Sequence, residues 1–347
     1  MKFGVLQFFS WPERRIALET VYDRAFDRIR IMDETGYDAV WLAEHHFSSF
    51  SICPSIHMMG VHVAARTRNL RIGTAVSLAP FYHPLRLAEE VALLDVLSGG
   101  RVNWGAGRGY QMSEFQAFGV PPEESYPRFR ENVQIVLEAW THERVSFKGR
   151  FWEFHDVEVL PKPAQKPHPP VWLAASSAEA IGWAGENGFS IMMDPHSSHR
   201  QIGEKRAFYR DALARHGFRL EGRDLPMARL VAVARTREEA ERIAREGAIW
   251  TVESHKKPGL QGVQVASELN RRHFSVPDIA RGGSSDAVDR YLNGVILWGT
   301  PDQVVDEIQR LREEIGLEYL LCAPLSHSSF LLFTDEVLPR LAASASV

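Results

Sequence analysis

The feature that most constrains the fold is the alternation of eight short apolar segments with longer amphipathic ones along the 347 residues. The apolar segments have the length and composition of strands buried on both faces of a parallel sheet. Because strands that alternate with helices are typical of βαβ units, the pattern predicts a (β/α)₈ barrel with residues 1–347 as one domain. The predicted strands cover residues 3–8, 39–43, 70–76, 102–106, 171–175, 189–193, 229–234 and 319–322.

Two stretches depart from this alternation. Residues 146–170 are rich in aromatic residues and proline, which predicts a small excursion outside the main sheet. Residues 255–297 carry glycines and scattered charge with no strong period, which is typical of a long insertion that acts as a mobile lid. A doubly wound open sheet is the alternative fold. It would need a GxGxxG fingerprint, but Tyr110 stands where the third glycine belongs.

The net charge and the cysteines indicate which binding partners and which cellular compartment to expect. A formal net charge of -4 gives no electrostatic reason to expect binding to nucleic acid or to an anionic membrane. Cys53 and Cys322 form no CxxC motif and fit a reduced compartment. Met1 leads straight into the first predicted strand, and no apolar run approaches the roughly 18 residues of a membrane span. We therefore expect a cytoplasmic protein without nucleic-acid or membrane partners.

The second predicted strand ends abruptly in Glu44, His45 and His46. In α/β folds, ligands bind beyond the carboxyl ends of the strands, so these residues are candidates for catalysis. Three other interpretations stay open. The imidazoles could be structural, or the loop could be solvated, although Phe47 and Phe50 follow it. A metal site is disfavoured because consecutive residues of an extended chain point to opposite faces, and no HExxH motif or paired cysteines supply further ligands.

Other predicted strand ends add polar groups that would face the same mouth of a barrel. They comprise residues 74–77, the triplet Arg108-Gly109-Tyr110, and the pair Ser176-Ser177. Arg108 together with hydroxyls and free N–H groups at a helix start would bind a phosphate. The alternatives are a plain helix cap for the serines and, for Arg108, an ion pair with Glu44 or Glu114.

Five segments together resemble the bacterial luciferase-like flavin-dependent monooxygenases, nearly end to end and in the same order. They are WLAEHHF, NLRIGTAV, HPLRLAEEVALLDVLSGGRVNWGAGRGY, FKGRFWEF with the following PKPAQKPHPPVW, and GTPDQVVDEI. The resemblance implies a (β/α)₈ barrel that is commonly a homodimer or heterodimer. It also implies reduced FMN delivered by a separate flavin reductase, reaction with O₂ to a flavin C4a-hydroperoxide, and a small lipophilic substrate such as an aldehyde.

Two further functions within the same superfamily stay open. One is an oxidoreductase that transfers hydride with the deazaflavin F420 and uses no O₂. The other is a flavin-binding protein without catalysis, which the retention of Glu44, His45, His46 and Arg108 disfavours. No metal is implied by any of these functions.

The resemblance assigns roles residue by residue. The catalytic histidine of the family falls on His45, with Glu44 and His46 beside it, and an imidazole is suited to taking and returning a proton near neutral pH. The cofactor-binding positions fall on Thr74, Ala75, Val76, Arg108, Gly109, Tyr110, Ser176 and Ser177. The segment Thr74-Ala75-Val76 matches the place where relatives hold a non-proline cis peptide against the flavin.

Three positions depart from the luciferases. Gly107 replaces their reactive cysteine, so thiol effects are not expected. Glu114 stands where they carry aspartate, and Ser176 stands where the second phosphate-binding segment has an acidic residue. The last of these departures could change how tightly the flavin phosphate is held.

Overall fold

The computed structural model describes residues 1–256 and 284–342, which group into two compact units. The amino-terminal unit is Gln7–Trp172, and the carboxy-terminal unit comprises Met1–Leu6, Leu173–Lys256 and the described residues from 284 onwards. That residues 1–347 form a single domain stays a prediction.

The described strands number twelve and the described helices of five or more residues also number twelve, apart from a π-helical turn at Phe333–Val337. The strands are β1 (Lys2–Gln7), β2 (Ala39–Leu42), β3 (Arg71–Thr74), β4 (Ser77–Leu78), β5 (Val102–Gly107), β6 (Arg144–Lys148), β7 (Glu153–Glu158), β8 (Val171–Ala174), β9 (Ser190–Met192), β10 (Pro226–Val233), β11 (Leu297–Gly299) and β12 (Tyr319–Pro324). The helices are α1 (Leu18–Glu34), α2 (Ile56–Ala64), α3 (Pro84–Leu97), α4 (Met112–Phe118), α5 (Ser125–Thr141), α6 (Ala178–Glu186), α7 (His199–Arg215), α8 (Arg237–Lys256), α9 (Ser284–Gly294), α10 (Pro301–Ile315), α11 (His327–Leu332) and α12 (Leu338–Ala342).

The amino-terminal unit is built on the parallel strands β2, β3 and β5, in that order. Every residue of β2 and of β5 is buried, as the continuous apolar runs predicted. The short strand β4 continues the path of β3 and pairs with the end of β5. The carboxyl ends of β2, β3 and β5 therefore lie at one edge of the sheet, together with the loops that follow them.

Helices α2 and α3 flank this sheet. Ser55 caps α2 by accepting a hydrogen bond from the Met58 N–H. One face of α3 is buried, while Leu93, Val96 and Leu97 on another face are 43–56% exposed. The apolar band of α3 is thus wider than the surface that its own unit covers.

The excursion predicted at residues 146–170 begins with an antiparallel hairpin of β6 and β7. Helix α4 was not predicted. It is only seven residues long and ends at Gly119, whose φ of +68° is the left-handed conformation that glycine adopts most readily. This helix is important for the site because it carries Glu114.

The carboxy-terminal unit places β10 between β11 and β12, with β12 beside β1. The strands predicted for this unit are confirmed. The prediction that residues 255–297 are irregular throughout was wrong, because α9 and β11 form within residues 284–299. Ala287, Val288, Tyr291 and Leu292 bury one face of α9. The main part of the predicted lid, residues 257–283, lies outside the described residues.

No helix in the described ranges 1–256 and 284–342 is both long enough and apolar enough to cross a membrane.

Candidate active site

Glu44 is a buried carboxylate that receives three hydrogen bonds. It follows the buried strand β2 and is 2% exposed. Its Oε1 accepts a hydrogen bond from the Tyr82 hydroxyl at 2.9 Å and lies 3.0 Å from His46 Nε2, while its Oε2 accepts one from the Leu78 N–H at 3.4 Å. Burial and the neighbouring carboxylate raise the pKa of Tyr82, so its hydroxyl keeps the proton that it donates. Glu44 therefore ties together three segments of the site.

A second buried carboxylate, Glu114, contacts the other imidazole. Its Oε1 lies 3.4 Å from His45 Nδ1 and accepts a hydrogen bond from the His46 N–H at 3.1 Å. Glu114 has no exposed surface, and its Oε2 has no hydrogen-bond partner among the described residues. Because this oxygen already accepts from the His46 N–H, the contact favours the tautomer of His45 with its proton on Nδ1. The Nε2 atom is then left as a proton acceptor.

Aromatic rings surround His45, which is 7% exposed. Phe8 stacks on the imidazole with a centroid distance of 6.2 Å, and Phe50 and Tyr110 approach it edge-on at 5.1 and 5.9 Å. Burial raises the pKa of Tyr110, so its phenol stays protonated. These rings limit the access of water to the imidazole.

The end of β3 lies beside β5. The Thr74 hydroxyl donates a hydrogen bond to the Gly105 carbonyl at 2.7 Å and accepts one from the Gly105 N–H at 2.8 Å. Its side chain is therefore fully engaged in linking the two strands. The peptide bond between the following two residues, Ala75–Val76, is cis, which confirms the prediction of a non-proline cis peptide in this segment.

Arg108 follows β5 directly. Its guanidinium donates a hydrogen bond to the Ser125 hydroxyl at 3.2 Å and lies over the Tyr126 ring at 4.7 Å. No carboxylate in the described part of the chain lies within ion-pair distance of Arg108, so the alternative of an ion pair with Glu44 or Glu114 was wrong. The charge of Arg108 is thus available to an anionic ligand.

A residue with a side chain would be strained at position 109, which Gly109 occupies. Its φ is +77°, and an added Cβ would lie 3.3 Å from the Phe81 ring. The chain can therefore turn after Arg108 only because this position has no side chain.

Several buried polar atoms near the strand ends have no hydrogen-bond partner among the described residues. Three of them are acceptors, namely Gln7 Oε1 at the end of β1, Gln111 Oε1 before α4, and Glu114 Oε2. Buried polar atoms are rarely left unpaired, so these acceptors are suited to a ligand that donates hydrogen bonds. Neither Gln7 nor Gln111 was predicted from the sequence as a site residue.

Ser176 and Ser177 belong to the carboxy-terminal unit. Ser177 caps α6 by accepting a hydrogen bond from the Ala180 N–H at 3.2 Å, and Ser176 is exposed. The plain helix cap that was left open as an alternative is therefore present at Ser177. In the same unit Met192 and Met193 are core residues, 7% and 0% exposed.

Neither cysteine thiol of the chain is suited to act as a nucleophile. Cys53 and Cys322 are buried, and burial raises the pKa of Cys53 to about 12 and that of Cys322 further. A thiol is nucleophilic only as its thiolate, so neither cysteine is a candidate nucleophile at neutral pH.

Comparisons with known proteins agree with this geometry. A family model described as luciferase-like monooxygenase matches residues 1–319. The oxygenase component of the flavin-dependent trigonelline monooxygenase of Acinetobacter baylyi is 28% identical over 307 residues, which cover 84% of each chain. The alkanal monooxygenase alpha chain of Aliivibrio fischeri is 26% identical over 332 residues, covering 93% of this chain and 92% of that one. Matches with two uncharacterised Sinorhizobium fredii proteins span only 59% and 57% of those proteins.

A solved structure extends the likeness to the fold. The monooxygenase RslO1 from Streptomyces bottropensis superposes with a TM-score of 0.81 at 27% identity, covering 98% of this chain and all of that one. The doubly wound sheet considered from the sequence is thereby excluded. The chain belongs to the luciferase-like monooxygenase family, with that family's α/β TIM-barrel-like fold, and is a flavin-dependent monooxygenase.

Proposed function

We propose that the protein binds reduced FMN at the carboxyl ends of β2, β3 and β5 and uses O₂ to oxygenate a small lipophilic substrate such as an aldehyde. The observation that carries this proposal is a buried imidazole, His45, that contacts a buried carboxylate and is surrounded by aromatic rings. At the same edge of the sheet lies Arg108, which has no carboxylate partner among the described residues. Such a group of residues suits proton transfer beside a phosphate-bearing cofactor.

The hydrogen-bonding and charged groups of these residues are complementary to those of a reduced flavin. The ring of reduced FMN offers N–H donors, and the unpaired acceptors on Gln7, Gln111 and Glu114 match such groups. The phosphate of FMN is an anion, and Arg108 can give it a charge-assisted hydrogen bond. We also infer that Thr74, Ala75, Val76, Gly109 and Tyr110 contact the cofactor, with Thr74 acting through its backbone because its hydroxyl is engaged. Cofactor binding by Ser176 and Ser177 stays a prediction.

The two carboxylates have different proposed tasks. Glu114 keeps a proton on Nδ1 of His45, so Nε2 can take up a proton and return it. Glu44 holds His46, Tyr82 and Leu78 in place and has both oxygens engaged, which suits a positioning residue better than a proton carrier.

When bound, reduced FMN supplies the electrons that activate O₂. The chain contributes the exclusion of water, because loose protons and water divert activated oxygen into H₂O₂. Phe8, Phe50 and Tyr110 around His45 provide an apolar wall that suits this exclusion and a lipophilic substrate. The alkanal monooxygenase relative supports an aldehyde as that substrate.

The proposed partner is a separate flavin reductase that delivers reduced FMN by transient contact. The relative from Acinetobacter baylyi is named an oxygenase component, which supports a division of labour between two proteins.

A binding comparison tests the choice of cofactor. Reduced FMN and reduced F420 are each titrated anaerobically into the protein, and binding is followed by absorbance and fluorescence. We expect saturable binding of FMN and at least tenfold weaker binding of F420. Preferential binding of F420 would instead favour hydride transfer without O₂.

We also propose a homodimer formed through α2 and α3. Met58 on α2 is 76% exposed, and Leu93, Val96 and Leu97 on α3 are 43–56% exposed, so the two helices present an apolar surface. A specific dimer interface buries about 1,200–2,000 Å² in total, and one charge at the centre of such a surface destabilises it strongly.

Changing Leu97 to aspartate is expected to convert a dimer into a monomer, measured by size-exclusion chromatography with light scattering. Leu160→Asp is the matched control, because Leu160 is also about half exposed, at 55%, but lies outside both helices. A wild-type protein that is monomeric at micromolar concentration would rule out this interface.

A further inference from the structure

A second group of hydrogen-bonded side chains lies beside the proposed cofactor site and was not marked by the sequence. Glu90 Oε2 on α3 is 3.1 Å from Nδ1 of His57 on α2, and Nε2 of the same imidazole is 2.9 Å from the Ser77 hydroxyl on β4. His57 is 3% exposed and Ser77 has no exposed surface. Two helices are thus linked to one short strand through a single imidazole.

The direction of both hydrogen bonds follows from Glu90. The hydrogen bond with His57 lowers the pKa of the Glu90 carboxyl, to which Arg86 adds, so the carboxylate is ionised at neutral pH. An ionised carboxylate accepts, which puts the imidazole proton on Nδ1. In the neutral imidazole, Nε2 then accepts, and the Ser77 hydroxyl donates to it.

The order carboxylate, imidazole, hydroxyl is also that of the nucleophilic triads of hydrolases. A nucleophile must reach its substrate, however, and Ser77 is completely buried. Its hydroxyl is also held as a donor to His57. The group is therefore suited to fixing a position and not to attacking a substrate.

The position that it fixes is next to the proposed cofactor contacts. Ser77 directly follows Val76, and β4 pairs with the end of β5, with Ser77 opposite Ala106 and Leu78 opposite Gly107. Arg108 follows Gly107, directly after the end of β5. The N–H of Leu78 is held by Glu44, so two buried groups, Glu44 and His57, fix consecutive residues of β4.

We propose that His57, oriented by Glu90, is a positioning residue for the flavin site, because its hydrogen bond from Ser77 holds residues 75–78 in the conformation that binds the cofactor. This inference rests on the proposed function, since it assumes that residues 75–76 contact the flavin. Without the hydrogen bond the segment samples other conformations, and the apparent affinity falls in proportion to the fraction that remains competent to bind.

Two substitutions of His57 separate its two hydrogen bonds. The amide of His57→Gln extends to about the place of Nε2 and can still accept from Ser77, whereas the amide of His57→Asn reaches only about as far as Nδ1 and contacts Glu90 alone. Ser77→Ala removes the hydroxyl, and Ser77→Cys serves if the alanine variant does not fold. Ser98→Ala is the matched control, because Ser98 also has a buried hydroxyl in the same unit, bonded to the Asp95 carbonyl at the far end of α3.

The experiment measures the dissociation constant of reduced FMN and the melting temperature of each variant. Ser77→Ala and His57→Asn are expected to bind FMN about tenfold more weakly, the effect of one buried hydrogen bond. His57→Gln should stay within about threefold of the wild type. Ser98→Ala should melt earlier but bind FMN as the wild type does.

Each other result contradicts the inference in a recognisable way. Wild-type affinity in Ser77→Ala and His57→Asn, with a lowered melting temperature, would make the group purely structural and leave the proposed function intact. An equally large loss of FMN affinity in Ser98→Ala would mean that the effect comes from general destabilisation of the unit. A wild-type protein that does not bind FMN at all would overturn the proposed function and this inference together.

Discussion

Replacing His45 with alanine is expected to lower the rate of product formation by about two to four orders of magnitude, the usual contribution of a general acid or base. Its imidazole is buried, its Nδ1 contacts Glu114, and its Nε2 is free to exchange a proton. The affinity for reduced FMN should stay within a few-fold of the wild type, because the proposed phosphate contact is made by Arg108. The measurement is product formed and H₂O₂ released per O₂ consumed.

A second histidine variant controls for the loss of an imidazole as such. His62 lies on α2 in the same unit, its side chain is exposed, and it has no place in the proposed site. His62→Ala should therefore keep the wild-type rate. A His45→Ala variant that forms product within tenfold of the wild-type rate would remove His45 from the mechanism.

Replacing Arg108 with alanine is expected to weaken FMN binding by roughly 1.5–3 kcal/mol, which is about 10- to 150-fold, the value of a hydrogen bond to a charged group. The guanidinium is held by the Ser125 hydroxyl and the Tyr126 ring, so it is already oriented before the cofactor binds. Riboflavin lacks the phosphate, and its affinity should therefore change much less. Equilibrium titration of both flavins measures the difference.

The matched control for Arg108 is Arg66, which also stacks on an aromatic ring, at 5.2 Å from Phe26, but lies just after α2 and away from β5. Arg66→Ala should leave both affinities unchanged. If Arg108→Ala weakened riboflavin binding as much as FMN binding, the arginine would support the ring pocket or the fold and would not bind the phosphate.

The elements that the sequence predicted well are those whose pattern is local. The apolar run of β2 and the Thr300-Pro301 start of the amphipathic helix α10 are each visible within a few residues. The helix α9 was missed because serines and glycines at its start masked the apolar positions that it buries. The strand β11 has only three residues, too few to show a period.

The candidate site was predictable only in part. Glu44, His45, His46 and Arg108 were found because each stands at the end of a predicted strand. Tyr82 was not, because its partner Glu44 is 38 residues away and nothing in their spacing marks the contact. The same holds for the contact between His57 and Glu90, which are 33 residues apart and meet only through the packing of α2 on α3. Contacts between residues that are far apart in the sequence can be predicted only once the fold is known.

The most direct test of the central claim is an isotope measurement with ¹⁸O₂. The protein, reduced FMN and a long-chain aldehyde are mixed under labelled oxygen, and the product is analysed by mass spectrometry. The account predicts one labelled oxygen atom in each molecule of the carboxylic acid formed, with no product in the absence of O₂. An unlabelled acid, or equal turnover without O₂, would contradict it.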